Sequence, residues 1–138
     1  MLCTAYENGS PWPSFTTNMG TNEPSVTAGD PYGVNGPLPP DTYDLPNAWS
    51  PGKKRVLPSP TNIGRPGEVR TPSGTNRNGI RVHDKNLSRG CLTTGSGQAG
   101  ADVERFLVRL VDRNKRTGGT TLTIEEVSCS ECQKCASR

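Results

Sequence analysis

The sequence predicts a mainly β fold with one packed α-helix and long loops. Two segments, 79–83 and 120–127, alternate their side chains or are rich in β-branched residues, as strands are. Between them, 101–114 carries apolar residues at helical spacing. Only 30% of the 138 residues are hydrophobic, while Gly (16) and Pro (13) are frequent, so we expect long loops around a small core.

The first half of the chain offers few regular elements. A short edge strand is expected at 2–6, and the run 10–36 has almost no apolar periodicity, which is typical of a loop. A Thr-Tyr-Asp-Leu alternation predicts a strand at 42–45, directly after a proline-rich stretch. The many Pro and Gly residues of 46–78 make this stretch turn-rich and exclude a helix of normal length.

The predicted strand at 79–83 sorts its side chains onto two faces. Ile80 and Val82 fall on one face, and Arg81 and His83 fall on the other. His83 therefore closes the strand on its polar face.

The second half of the chain holds the clearest helical pattern. Along 101–114, apolar residues recur at i, i+3, i+4, i+7 and i+8, and acidic residues precede basic ones. Both features favour an amphipathic helix. Gly118 and Gly119 are expected to end it, and the β-branched run 120–127 predicts a strand that returns to the sheet.

Length and charge restrict the function classes. A chain of 138 residues predicts a single domain, with a cysteine-bearing tail at 128–138. The net charge of +3 comes from 16 basic and 13 acidic residues spread along the chain, which gives little attraction to nucleic acid. No stretch approaches the roughly 18 apolar residues of a membrane span, so we expect no membrane insertion. Residues 1–10 lack the features of a signal peptide.

A histidine and a cysteine lie close together in the second half. His83, the only histidine, precedes Cys91 by a loop long enough to turn the chain back and bring the thiol to the imidazole at the strand's end. A cysteine is a strong nucleophile only as a thiolate, which requires a nearby base or positive charge. Gly90 permits backbone angles that aim amides at an oxyanion, and Arg89 adds a permanent charge. By spacing alone, coincidence or packing is the more frequent explanation.

The residues around Cys91 resemble a known family. The segment 88–92, Ser-Arg-Gly-Cys-Leu, resembles the Ser/Thr-His-Gly-Cys motif of the L,D-transpeptidase catalytic domain, which follows a histidine on a strand. Upstream, 36–43 (Gly-Pro-Leu-Pro-Pro-Asp-Thr-Tyr) is similar to a strand common in that family. Downstream, the family's helix and final strand correspond to 101–114 and 119–124. The resemblance spans roughly 33–127, which would be the core of the single catalytic domain, and it implies an L,D-transpeptidase fold, a β-sandwich or barrel-like structure.

Two departures from the family pattern indicate a particular branch. Arg89 stands where the family has a second histidine, and the gap from His83 to Cys91 is shorter than in the housekeeping cell-wall enzymes. Both features resemble the compact branch among toxins that bacteria inject by type VI secretion. This likeness implies a secreted antibacterial effector that acts in the target-cell periplasm, with a cognate immunity protein as a partner.

The family's activity is acyl transfer on peptidoglycan stem peptides, as an L,D-carboxypeptidase or an L,D-transpeptidase. By this resemblance, Cys91 would attack the carbonyl of the third residue of a tetrapeptide and release D-alanine. His83 would take the thiol proton and pass it to the leaving amine. Asp84 would orient the imidazole through its backbone carbonyl or its side chain, and the amides of Gly90 and Cys91 would stabilise the oxyanion. No cofactor is implied.

Three further residues are candidates for substrate binding. By the resemblance, Ser88 and Arg89 would shape the site beside the nucleophile. Arg81 shares the predicted face of His83, where it would meet a substrate carboxylate, although an exposed strand arginine is the more frequent explanation.

The four cysteines other than Cys91 form an even set. Cys129, Cys132 and Cys135 have a spacing that suits a metal or cluster, but a structural zinc site needs four ligands and the only histidine is assigned elsewhere. We therefore expect no metal site. In an oxidising compartment a tail thiol would pair with Cys3 or with another tail thiol, consistent with a first strand beside the last strand. Cys91 would then keep its thiol outside any disulfide.

Three alternatives stay open at this point. The first is a non-catalytic peptidoglycan-binding or adaptor module that keeps the fold. The second is a small binding protein stabilised by disulfides or a metal around the tail. The third keeps the nucleophile but makes the chain a cysteine amidase or peptidase that cuts elsewhere in the stem peptide.

Overall fold

The computed structural model describes residues 2–3, 6–7, 10–11, 15–21, 32–84, 89–94 and 98–125. Side chains are described for residues 32–83, 90–92 and 104–125.

Short strands and one long helix make up the described part of the chain. In chain order they are β1 (Leu2–Cys3), β2 (Tyr6–Glu7), β3 (Ser10–Pro11), β4 (Phe15–Thr21), β5 (Asp41–Asp44), β6 (Asn47–Ser50), β7 (Arg55–Pro58), β8 (Val69–Arg70), β9 (Asn76–Arg77), β10 (Val82–Asp84), β11 (Arg89–Thr94), α1 (Gln98–Thr117) and β12 (Thr121–Ile124). The prediction of a mainly β chain with one helix is confirmed.

The largest sheet has four strands in the order β1, β4, β11, β10. β10 and β11 run parallel, whereas β4 is antiparallel to both of its neighbours. The other strands pair two by two: β5 with β12, β2 with β3, β6 with β7, and β8 with β9. All of these sheets are open, so the described strands form no closed barrel.

The sequence predicted a loop at 10–36, but the described residues of this segment include strands. It contains β3 and β4, and β4 hydrogen-bonds to a strand on each side. β4 has the sequence Phe-Thr-Thr-Asn-Met-Gly-Thr, which lacks regular apolar alternation. A strand inside a sheet satisfies its backbone groups through both neighbours, whatever its side chains, and this pairing overrides the weak pattern.

The first and last strands do not lie side by side, so that expectation was wrong. β1 pairs with β4, with Leu2 opposite Thr16, and β12 pairs with β5, with Leu122 opposite Tyr43. The pairing of β5 with β12 confirms the two predicted strands at 42–45 and 120–127 within the described ranges.

The turn-rich segment 46–78 forms hairpins and no helix. β6 and β7 are joined by a tight turn, in which the amide of Lys53 donates to the carbonyl of Ser50 at 3.1 Å. β8 and β9 form a second hairpin of only two residues a strand. The exclusion of a helix is confirmed, but strands this short carry no alternation that a sequence pattern could reveal.

The helix α1 is longer than the predicted 101–114 at both ends. It ends before Gly118 and Gly119, as predicted, and both glycines have a positive φ, 83° and 140°. The Gly118 amide donates to the Asn114 carbonyl at 3.0 Å, a bond typical of a left-handed glycine cap. In the described ranges, no helix is long and apolar enough to span a membrane.

Asn114 fastens the end of α1 to the connection between β5 and β6. Its Nδ2 donates to the Leu45 carbonyl at 2.8 Å and to Asn47 Oδ1 at 3.0 Å, and its Oδ1 accepts from Thr120 Oγ1 at 2.6 Å. Asn47 Nδ2 in turn donates to the Val111 carbonyl at 2.9 Å. The amide of Asn114 is buried, so these bonds are shielded from water.

The apolar core lies between the β5–β12 pair and the β10–β11 pair. Ile80 and Val82 contact this core, which confirms their predicted shared face. The Tyr43 hydroxyl, fully buried, donates to the Pro39 carbonyl at 2.6 Å. The core cluster comprises Leu38, Tyr43, Val69, Ile80, Leu92 and Ile124.

Candidate active site

Cys91 lies beside Arg81 on the neighbouring chain segment. The Leu92 amide donates to the Arg81 carbonyl at 3.0 Å, and the parallel register then aligns His83 with Thr93. Two steps earlier in the same register, Cys91 is level with Arg81. The thiol therefore sits two residues before the level of the imidazole.

The strand that carries His83 starts later than predicted. Gly79 has φ 75°, in the left-handed region that extended strands do not use, so β10 begins at Val82 rather than at Gly79. It continues to Asp84 instead of closing at His83. His83 consequently occupies the middle of the strand.

The Cys91 thiol hydrogen-bonds to backbone groups beside the sheet. Its sulfur donates to the Gly79 carbonyl at 3.6 Å and accepts a hydrogen bond from the Arg81 amide. In a regular parallel ladder, that amide would donate to the carbonyl of residue 90. Gly90 has φ 94°, and the register between β11 and β4 shifts between Arg89 and Leu92, so the ladder is interrupted here. The Cys91 sulfur therefore accepts the hydrogen bond of the Arg81 amide in place of the carbonyl of residue 90.

Gly90 has the positive φ that the motif predicted, and it is buried. A Cβ at this position would overlap the Arg77 guanidinium and would lie 2.6 Å from the Gly36 carbonyl oxygen. Both the backbone angle and the surrounding space therefore require glycine.

His83, which was expected to close the strand on its polar face, is buried, with 7% of its surface exposed. Strand spacings place its Cα about 8 Å from that of Cys91, since the two residues are one strand and two positions apart. The two strands are parallel, so the thiol is level with the chain two residues before His83. The approach of the thiol to the imidazole stays a prediction.

Burial raises the pKa of the Cys91 thiol. The hydrogen bond from the Arg81 amide and the positive charges of Arg81, Arg77 and Lys53 act in the opposite direction. Burial is the largest of these effects, so the thiol is protonated at neutral pH and donates to the Gly79 carbonyl. The sulfur is a thiol and not part of a disulfide.

Arg81 is half-buried rather than an exposed strand arginine. Its Nη1 donates to the Ile80 carbonyl at 2.8 Å, and the guanidinium covers Gly67, where a Cβ would overlap it. Its buried Nε has no hydrogen-bond partner among the described residues. Arg81 therefore contributes two different groups near the thiol, an amide donor and a cation.

The remaining predicted site residues are placed in part or not at all. Asp84 lies within β10, opposite Thr94, and Arg89 begins β11, opposite Thr21, but their side chains are outside the described ones. Ser88 is outside the described residues.

The predictions on the cysteine tail fall outside the described residues. Cys129, Cys132 and Cys135 belong to the segment beyond 125, and the side chain of Cys3 is also not described. Within the described ranges, no group of three His, Cys, Asp or Glu residues could hold a metal ion.

Arg77 is a residue near the thiol that the sequence did not reveal. It ends β9 within the turn-rich segment 46–78, and only 4% of its surface is exposed. A single arginine between Asn76 and Asn78 has the pattern of a solvated turn. Its burial depends on which backbone its long side chain reaches, and this is set by the fold.

Comparison of the chain with protein-family models, with curated proteins and with solved structures finds no match. The likeness of 36–43, 88–92 and their flanking elements to L,D-transpeptidases therefore rests on those residues themselves.

Proposed function

We propose that this chain is a cysteine-dependent acyl transferase that acts on peptidoglycan stem peptides. One observation carries the proposal: Cys91 lies on the strand next to His83, among the positive charges of Arg77, Arg81 and Lys53. A thiol and an imidazole on adjacent strands supply a nucleophile and a base. The Ser-Arg-Gly-Cys-Leu motif supplies the substrate class by resemblance.

The proposed reaction begins with removal of the thiol proton by His83. The Cys91 sulfur forms a bond to the carbonyl carbon of the third stem residue, the carbon–nitrogen bond to D-alanine breaks, and the imidazolium returns the proton to the leaving amine. Water then hydrolyses the thioester to give a shortened peptide, or an amine attacks it to give an exchanged or cross-linked product. Because burial keeps the thiol protonated, this proton transfer is an essential step and not a preformed state.

The charges near Cys91 support an anionic substrate. A stem peptide ends in a carboxylate, and the leaving D-alanine carries it. Lys53 is exposed, so its charge is accessible to a ligand that approaches the thiol, and the half-buried Arg81 adds positive charge beside it. Arg89 and Ser88 are proposed, by the resemblance, to complete this binding surface.

The finer fold and the place of action are part of the same proposal. The mainly β architecture with one helix is compatible with an L,D-transpeptidase fold. The short gap from His83 to Cys91 and the Arg89 substitution favour a secreted antibacterial toxin that acts in the target-cell periplasm and is neutralised by an immunity protein.

The test compares the wild-type chain with Cys91→Ala and Cys91→Ser on purified tetrapeptide muropeptides, with and without a free D-amino acid. We expect the wild type to release D-alanine and both variants to lose at least about a thousandfold in rate, because no other group replaces a thiolate nucleophile. Mass spectrometry of the products measures this and separates hydrolysis from exchange.

Cys91→Ser is the matched control for the fold. Its hydroxyl can take the hydrogen bonds to the Gly79 carbonyl and the Arg81 amide, so its urea unfolding curve should stay close to that of the wild type. Undiminished D-alanine release by either variant contradicts the proposal. Cleavage at another bond of the stem peptide indicates an amidase or peptidase instead.

A second candidate is a non-catalytic peptidoglycan-binding module. The observation in its favour is that the thiol is half-buried, has a raised pKa and hydrogen-bonds to backbone groups of the sheet, as a structural cysteine does. In the same experiment, muropeptide binding by the wild type without any product would favour this candidate.

A further inference from the structure

Arg77 is a buried cation close to Gly90, the residue before Cys91. Its Nη1 donates to the Pro37 carbonyl at 2.9 Å and to the Tyr32 carbonyl at 3.2 Å. These two acceptors belong to the segment 32–37, which a tight turn closes through the Gly36 amide and the Gly33 carbonyl at 2.8 Å. The guanidinium thus holds a loop that precedes β5.

The same guanidinium lies against Gly90. It occupies the space that a Cβ at Gly90 would need, and the Gly36 carbonyl borders that space from the other side. Gly90 is therefore enclosed between Arg77 and the turn that Arg77 fastens. Because Gly90 directly precedes Cys91, this contact fixes the backbone from which the thiol reaches the Arg81 amide.

The charges around Arg77 and Cys91 come from several elements. Arg77, Asp41 and Tyr32 all act on the buried Tyr43 hydroxyl of β5. Around the thiol, the described charged groups are Arg77 itself, Arg81 before β10 and Lys53 in the β6–β7 turn. His83 lies on the adjacent strand.

Of these cations, Arg77 is the one that borders the space of a Cβ at Gly90, although the charge of Arg81 acts on the thiol more strongly. Lys53 is exposed and therefore well solvated, while Arg81 uses its guanidinium on Ile80 and Gly67. A buried charge is screened by water far less than an exposed one. The guanidinium of Arg77 is therefore held in place by its hydrogen bonds, and water screens its charge only weakly.

We propose that Arg77 is a positioning residue for Cys91: its buried guanidinium holds Gly90 against the 32–37 turn and so fixes the backbone that carries the thiol. This rests on the proposed function only in treating Cys91 as the nucleophile. Holding Gly90 requires the planar guanidinium of Arg77, whereas an effect on thiol ionisation requires only a positive charge.

The test measures the rate of iodoacetamide alkylation of the Cys91 peptide against pH, by mass spectrometry of the full chain. Arg77→Met should raise the thiol pKa. One unit of rise lowers the thiolate fraction about tenfold and increases its nucleophilicity about threefold, so alkylation below the pKa should slow at least about threefold. Arg77→Lys keeps the charge, so its alkylation profile should stay near the wild-type profile while D-alanine release falls.

Arg70→Met is the matched control, because Arg70 is an exposed arginine on β8 of the same hairpin and its Nε donates only to Asn76 Oδ1. Its alkylation profile should equal that of the wild type. The inference is overturned if Arg77→Met keeps the wild-type profile, or if Arg70→Met slows alkylation as much. Unfolding of both Arg77 variants also overturns it, because Arg77 would then serve overall stability.

The alkylation measurement does not depend on turnover. If the wild type releases no D-alanine, the acyl transfer proposal fails, and the comparison of Arg77→Met with Arg70→Met still decides whether Arg77 controls the thiol.

Discussion

Gly90 meets two requirements that no other residue type satisfies. Its φ of 94° lies in the left-handed region, and a Cβ added to it would overlap the Arg77 guanidinium and crowd the Gly36 carbonyl. The motif around Cys91 was enough to predict the first requirement. The second could not be predicted, because no local pattern reports where the side chain of Arg77 ends.

Gly90→Ala should lower the free energy of unfolding by about 3 kcal/mol or more, since backbone strain and overlap with buried groups add together. Gly74→Ala is the control: Gly74 has φ 87°, but nothing lies within 4 Å of its added Cβ, so it should lose only about 1–2 kcal/mol. Urea unfolding of the two variants measures the difference. Equal losses would show that the Arg77 contact adds nothing.

At the scale of elements, the helix and its end were the most predictable part of the fold. The apolar spacing of 101–114 and the two glycines after it are local signals, and α1 follows them with extensions at both ends. The attachment of α1 to the β5–β6 connection was not predictable, because in the sequence Asn114 looks like any polar residue on a helix surface. Only the packing of α1 on the β5–β6 connection gives its amide three partners.

Asn114→Ala should lower the free energy of unfolding by about 2–3 kcal/mol, because it leaves the Leu45 carbonyl and the Asn47 and Thr120 side chains without their partner. Thr117→Ala removes a bond made only to the carbonyl of Arg113 within the same helix, so it should change stability by no more than about 0.5 kcal/mol. Urea titration followed by circular dichroism compares them. A similar loss in both variants would argue against the role of Asn114.

At the scale of the whole molecule, fold class was predictable and strand pairing was not. Alternation predicted the strands at 42–45 and 120–127, yet β4 and the two hairpins of 46–78 have no pattern of their own. Those strands exist because other segments complete their hydrogen bonds. For the same reason the spacing of His83 and Cys91 could not give their alignment, which depends on the parallel register.

The stability of the folded chain should fall in alkaline solution. Burial, helped by the charge of Asp41, raises the pKa of Tyr43, and burial raises that of Cys91. Unfolded Cys and Tyr lose their protons near pH 9 and pH 10, so the unfolded state binds fewer protons above these values. The stability is fully present below them and is lost as pH rises.

Urea unfolding at pH 9, 10 and 11 measures this effect. Tyr43→Phe is the control, because it lacks the ionisable hydroxyl but keeps the ring in the core. Above about pH 10 the wild type should lose up to about 1.4 kcal/mol more per pH unit than Tyr43→Phe. Parallel pH profiles for the two chains would contradict the raised pKa.

The hydrogen bonds of the Cys91 thiol to backbone groups have a consequence for turnover. An acylated sulfur has no hydrogen to donate to Gly79 and is a poor acceptor for the Arg81 amide, so each acylation would open one rung of the sheet. Loss of the acyl group would let that rung close again, with a gain of about 1 kcal/mol. In the proposed cycle, these hydrogen bonds would make the thioester less stable relative to the free enzyme by that amount.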